Sequence, residues 1–339
     1  MKKNLTLRNL FIPAGFALAA IFIPYILIKL YIIDAYTAQI LTLGAINTIM
    51  AISVNIVCGI TGQLSLGQAA FMAVGAYSCI IFTEAGIPMA VSIILAALIT
   101  AFVGFLIGFP TLKLTGDYLA IVTLGFGEII RVLLVNFRDI TGGANGKRFE
   151  DPAAVKMTLF ADVSWIVIIS ALVLIIILLQ NFIRSTYGRA ILAVREDETA
   201  AASSGIGVFR YKMVGFIIAA FVAGIGGALY APFISFIKPD LASFNRSIEY
   251  LIFVVLGGMG SITGSVIAAF SLTFLQEFLR FLKDYRLLIY PVILILVMLF
   301  RPQGLLGTKE LSFVKLYDDT GKKLKNIFKK KEKSNKEAK

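Results

Sequence analysis

Glu128 and Arg131 stand three residues apart inside an apolar run, so a helix there sets a carboxylate and a guanidinium on one face. In a membrane-length helix such charges are expensive, and they face a partner or a polar pathway. Two readings stay open: an ion pair that holds neighbouring helices in register, or a gating pair beside a polar solute. Acid–base catalysis is a poor use for them, because no base or metal cluster accompanies them and the chain has no His. The glycine-rich stretch Thr141, Gly142, Gly143, Ala144, Asn145, Gly146 follows directly. It has no Lys followed by Ser or Thr after its glycines, so it is not a phosphate-binding loop of the Walker type.

Three further clusters have the residue types of a functional site. Residues 59–67 read G-I-T-G-Q-L-S-L-G, with Gln68 next. Their glycines let backbones approach closely, and Gln63, Ser65 and Gln68 supply hydrogen-bonding groups. An unwound corner lining a pathway and a tight helix–helix turn both fit. Residues 184–212 form a polar loop between apolar segments. In it Arg195, Glu196, Asp197 and Glu198 precede Thr199 to Ser204, and Gly205 follows. Acids suit a helix N-terminus and Gly suits a helix stop, which describes a short docking helix or a solvated amphipathic loop. Residues 256–265, L-G-G-M-G-S-I-T-G-S, weakly mirror the first cluster. Cys58 and Cys79 lie in or at the ends of apolar segments and read as small hydrophobes, with no disulfide or metal site.

These clusters must be positioned by membrane helices. The chain is 58% hydrophobic and 15% charged, with a mean hydropathy of +0.88. Soluble domains hold about 25% charged residues. Spans of about 20 apolar residues are expected over residues 10–31, 36–57, 64–83, 88–109, 117–136, 159–182 and 213–236. Shorter segments are expected over 247–257, 264–281 and 287–300. The fold class is thus an all-α polytopic bundle of about ten segments. The apolar run from Leu10 is too long for a signal peptide and is read as the first span.

Residues 301–339 hold 12 of the 32 Lys and Arg. Such a tail suits a cytoplasmic surface beside anionic lipid, and without a binding fold it does not indicate nucleic acid. With both termini cytoplasmic, that side holds 21 basic residues and the outer side ten. The outer loop 137–158 carries four of the ten, a mild conflict with the positive-inside rule. The expected organisation is a transmembrane domain over residues 1–306 and a basic, unstructured cytoplasmic tail over 307–339.

In order along the chain, five motifs resemble the LivM-type permease of branched-chain amino acid ABC importers: G-Q-L-S-L-G-Q-A-A-F at 62–71, G-D-Y-L-A-I-V-T-L-G-F-G-E-I-I-R at 116–131, T-G-G-A-N-G at 141–146, G-R-A-I-L-A-V-R-E-D-E-T-A-A-A-S-S-G at 188–205 and G-G-M-G-S-I-T-G-S at 257–265. The resemblance implies a fold similar to the ribose and vitamin B12 type permeases. It implies a second, LivH-like permease, two cytoplasmic ATPases (LivG- and LivF-like) and an extracytoplasmic amino acid binding protein. It implies no cofactor in this chain, with ATP used by the ATPases. The family's coupling pattern A-A-x-x-x-G falls on Ala200, Ala201 and Gly205, within a coupling element that also includes Arg195, Glu196, Asp197 and Glu198. Thr199 stands where the wider importer pattern has Glu, and no proline-containing ending follows Gly205. Path-forming residues are expected in the two stretches 59–68 and 117–146: Gln63, Ser65, Gln68, Thr123, Glu128, Arg131, Thr141, Gly142, Gly143 and Asn145. A urea or short-amide importer is the first alternative. An ion-coupled secondary transporter is the second, although only Glu128 is deeply placed.

Overall fold

The computed structural model describes residue 15 and residues 18–149, 161–301 and 304–307. The tail expected over 307–339 lies outside the described residues beyond Gly307, as does the start of the segment expected at 10–31.

The helices, in chain order, are α1 (Leu18–Lys29), α2 (Ala35–Val54), α3 (Gln68–Glu84), α4 (Met89–Thr111), α5 (Asp117–Asn136), the short α6 (Arg138–Thr141), α7 (Ala161–Arg184), α8 (Thr186–Glu196), α9 (Glu198–Ser203), α10 (Val208–Ile234), α11 (Phe244–Gly257), α12 (Ile262–Phe278) and α13 (Arg286–Phe300). Asn55–Ile60 continues α2 as a wider π-helical turn. Among the described residues the strands are β1 (Lys147–Arg148) and β2 (Phe236–Ile237), paired antiparallel with Lys147 opposite Ile237.

Six segments among the described residues are long and apolar enough to cross a membrane: α2 with its π turn, α4, α5, α7, α10 and α12. They coincide with six of the ten expected segments. α3, at 17 residues, starts four residues later than expected because residues 62–67 are not helical. α11 has 14 residues and stops at its glycines. Both fall short of the roughly 20 residues of a full span.

Six threonines of the apolar helices pair within their own helix. Thr42, Thr48, Thr83, Thr100, Thr111 and Thr273 each donate to the carbonyl four residues earlier, which satisfies them inside their own helices. Association then depends on close packing, because lipid tails offer no hydrophobic drive between helices. α10 packs most extensively against α4 and α3, and α2 against α12, α10 and α7. Small residues make the α3–α4–α10 contact possible. A Cβ on Gly75 would fall 2.6 Å from Gly224 Cα, and one on Gly224 would fall 2.9 Å from Ala97 Cα.

The two ends of the bundle differ. One end collects residues 59–67, α8, α9, the α11–α12 turn and residues 304–307. The other collects residues 84–88, 137–149 and 236–243. There Lys147 pairs with Glu84 at 2.6 Å and β1 meets β2.

A Cβ on Gly227 would sit 2.9 Å from Ala76 N and against the Met72 carbonyl, whereas Gly125 has nothing within 4 Å. Gly227→Ala should therefore destabilise the chain purified in detergent by about 1–3 kcal/mol, the usual penalty for overpacking, and Gly125→Ala should leave it unchanged. Thermal midpoints measured by fluorescence-detected size exclusion check this. Equal midpoints for wild type and G227A would refute the close approach.

Candidate functional site: an unwound corner beside a capped surface helix

The stretch over residues 59–68 joins α2 to α3 and is not helical over residues 62–67. α2 widens into its π turn, and the chain then runs without helix from Gly62, which has φ +69°, to Gly67. The released backbone groups find other partners. Gln63 N donates to the Val57 carbonyl at 2.9 Å, Leu66 N to Thr123 Oγ1 at 3.1 Å and Ala69 N to Ser247 Oγ at 3.3 Å. Thr123 is thus the peg that fixes the corner to α5. The Ser53 hydroxyl stands 2.8 Å from the Ala219 carbonyl and 2.9 Å from Gln68 Oε1. One hydroxyl proton serves only one of these, and turning the Gln68 carboxamide over satisfies both. Gln63 is 3% exposed, and neither end of its carboxamide has a hydrogen-bond partner among the described residues. An unpaired buried amide costs about 1–3 kcal/mol. Ser65 is buried and stands 3.5 Å from Gly67 N.

A second chain break packs on the first. Asn55 is buried, donates from Nδ2 to the Ser261 carbonyl at 3.0 Å and accepts at Oδ1 from Gly260 N at 2.8 Å. Gly59 allows this, because a Cβ there would collide with Asn55 Oδ1 and Gly260 N. The weak mirror symmetry of residues 59–67 and 256–265 is therefore a contact in space. Residues 304–307 complete the turn: Leu305 N donates to the Leu256 carbonyl at 2.7 Å and Leu306 N to the Gly257 carbonyl at 3.3 Å. Ser261 caps α12 by accepting from Gly264 N at 3.0 Å.

α5 links the corner to the opposite end. A small recess of about 10 Å3, space for about one water, lies between α3, α4, α5 and α10, lined by Gly67, Phe71, Thr123, Phe126, Gly127 and Phe216 among others. Arg131 Nε meets Glu128 Oε2 at 2.7 Å, with the two side chains 33% and 38% exposed. Only about 28% of the apolar stretch of α5 is buried inside this chain. The charges therefore sit one turn apart on a helix whose outer face this chain leaves uncovered.

Residues 141–145, expected to line a path, bond to the end of α5. Thr141 Oγ1 lies 2.6 Å from the Leu134 carbonyl and 2.8 Å from that of Phe137, and accepts from Gly143 N at 3.2 Å. Gly142, at φ +74°, ends α6 in the left-handed region, and a Cβ there would meet the Gly146 carbonyl. Gly143 is buried against Arg138, while Asn145 is exposed in a 3-10 turn. These residues close the end of α5, remote in the chain's topology from Gln63 and Gln68.

The loop over residues 184–212 holds two helices where one was expected. Ser185 caps α8 by accepting from Gly188 N at 3.3 Å, and Ile191 and Val194 face inward. Asp197 Oδ1 caps α9, accepting from Thr199 N at 2.8 Å and Ala200 N at 3.0 Å. Gly205, at φ +80°, stops it: Gly205 N donates to the Ala202 carbonyl and Ile206 N to that of Ala201, both at 3.0 Å. That is a Schellman ending. Ala201 is buried, while Glu196, Ala200, Ala202 and Gly205 are exposed. Glu198 pairs with Lys212 of α10, whose side chain is 8% exposed. Arg195 is half-buried and turned toward the corner.

Asn55, Ser53, Ser247 and Lys212 were missed from the sequence. A polar side chain inside an apolar span is costly enough to be a signal by itself. Lys212 could have been paired with Glu198 only by knowing that α9 folds back on α10.

The sequence profile described as "Branched-chain amino acid transport system / permease component" matches residues 36–299. The chain is 36% identical over 302 residues to the high-affinity branched-chain amino acid transport system permease protein LivM of Salmonella typhimurium, and equally to that of Escherichia coli, covering 81% of this chain and 71% of each relative. It is 26% identical over 296 residues to LivH of Salmonella typhimurium, covering 80% of this chain and 95% of that one. No solved structure is detectably similar. With six helices that can span a bilayer and a profile match over most of its length, the chain belongs to the branched-chain amino acid transport system permease family and is a multi-pass membrane protein.

Proposed function

We propose that this chain is one of two membrane-spanning subunits of an ATP-driven importer of leucine, isoleucine and valine. An extracytoplasmic binding protein delivers the solute. Two cytoplasmic ATPases, which bind the ATP, drive the cycle through α9, and the second permease is LivH-like. The observation that carries the reading is α9 itself, an exposed helix capped at both ends and held to α10 by the Glu198–Lys212 pair, at the bundle end where α2 is unwound.

In this reading that end faces the cytoplasm and both termini are cytoplasmic. The basic tail lies along anionic lipid. The chain threads the membrane in about ten segments, with α3 and α11 as short, cavity-lining helices in the manner of the ribose and vitamin B12 type permeases. The uncovered α5 face meets the second permease or the path between the two, since hydrocarbon is a poor setting for Glu128 and Arg131. Gln63, Ser65, Gln68 and Thr123 form the cytoplasmic part of that path. Thr141, Gly142, Gly143 and Asn145 shape its outer end by fixing where α5 stops. Nucleotide binding moves α9, and the chain exchanges outward-open for inward-open packing.

Pull-down of this chain from native membranes should recover two ATPases and a second permease, with ATP-dependent leucine uptake in vesicles. Urea uptake by the same assembly would reassign the solute, and uptake without an ATPase would overturn the reading. Gly205→Val forces a β-branched residue into the left-handed region at a cost of about 1–2 kcal/mol and frays α9. Membrane insertion should persist while leucine uptake falls to background, and unimpaired uptake would remove α9 from the mechanism. Glu128→Gln strands Arg131 on a spanning helix, so assembled importer or its uptake should fall roughly tenfold, the scale of a lost partly buried charge partner. Quantitative blotting and uptake assays decide it, and unchanged values would make the pair incidental.

A further inference from the structure

Arg195 ends α8 beside Glu196 and Asp197, which are exposed, yet its own side chain turns inward. A Cβ built on Gly62 would lie 3.0 Å from Arg195 Cγ, and one built on Gly260 would lie 2.8 Å from Arg195 Nη1. The stem therefore crosses Gly62 and the guanidinium crosses Gly260. Both glycines have positive φ, +69° and +91°, and neither presents a side chain that would hold the arginine off the backbone.

The two glycines belong to two different helix ends. Gly62 follows the wide last turn of α2, and Gly260 follows the last turn of α11. Helix C-termini carry partial negative charge and carbonyls without intrahelical donors, so one cation is attracted to both. Among the described residues no carboxylate pairs with Arg195. Its charge is thus available to these ends. Asn55 already joins the same two turns from inside the bundle. Arg195 joins them from the α8 side.

We infer that Arg195 is a positioning residue that ties the α8–α9 element to both glycine turns, so that displacement of α9 by an ATPase reaches the ends of α2 and α11 together. The inference rests on the importer reading and adds the contact through which the drive enters. The other tether of α9, the Glu198–Lys212 pair, leads to α10 alone.

The test uses the complete importer, with both permeases, both ATPases and the binding protein, in proteoliposomes. Leucine uptake and ATP hydrolysis are measured together. Arg195→Met keeps a stem over Gly62 and removes the charge over Gly260. In assembled Arg195→Met importer the ATP consumed per leucine should rise roughly tenfold, and in Arg195→Lys about threefold, the range over which residues linking two sites modulate coupling. A wild-type ratio in both variants overturns the inference. If Arg195→Met fails to reach the membrane, Arg195→Lys decides alone: a raised ratio supports the contact and a wild-type ratio overturns it. Wild-type importer without nucleotide-dependent leucine uptake overturns the importer reading itself, and the inference with it.

Discussion

A helix interrupted inside a membrane protein releases backbone groups that lipid does not satisfy, and the arrangement at one end of this bundle follows from that constraint. α2 opens into a π turn and stops at Gly62, and α11 stops at Gly257. The released groups are met by Thr123 from α5, Ser247 from α11, the Asn55 carboxamide and the backbone of residues 304–307. The partners come from α2, α5, α11 and residues 304–307, so the two breaks hold these four segments in one place. The side chain of Gln63 is buried at the same place, and neither end of its carboxamide has a partner among the described residues.

The second constraint is steric. Close helix approach removes room for side chains, and the glycines mark where this happens. Gly75, Gly224 and Gly227 bring α3, α4 and α10 together, while Gly59 admits the α11–α12 turn to Asn55. The packed trio forms a continuous wall. α5 stands against it with its ion pair on a face this chain leaves open. In the proposed cycle the packed trio is the fixed part, the uncovered α5 face is where the two permeases part, and the tethered surface helix is the handle.

Much of this was legible in the residues. Apolar length marked the six long spans, and acids before Thr199 with Gly205 after Ser204 marked α9. The helix spacing of Glu128 and Arg131 marked their pair. What stayed hidden was long-range. The Asn55 staple joins residues more than 200 positions apart, and Lys212 meets Glu198 only because α9 folds back. Residues 141–145 carry a related ambiguity. Thr, Gly and Asn are the residue types of a polar pathway and also of a helix stop, and here Thr141 and Gly142 serve the stop. Composition does not separate those uses.

The central claim is that nucleotide-driven movement enters at the end where α9, the unwound corner and the α11–α12 turn converge. Hydrogen exchange on the reconstituted importer, compared with and without trapped nucleotide, tests it most directly. The account predicts that amides of residues 59–67 and 257–264 change protection together with those of 198–205. Changes confined to residues 137–149 and 236–243, with the convergent end unaltered, would contradict it.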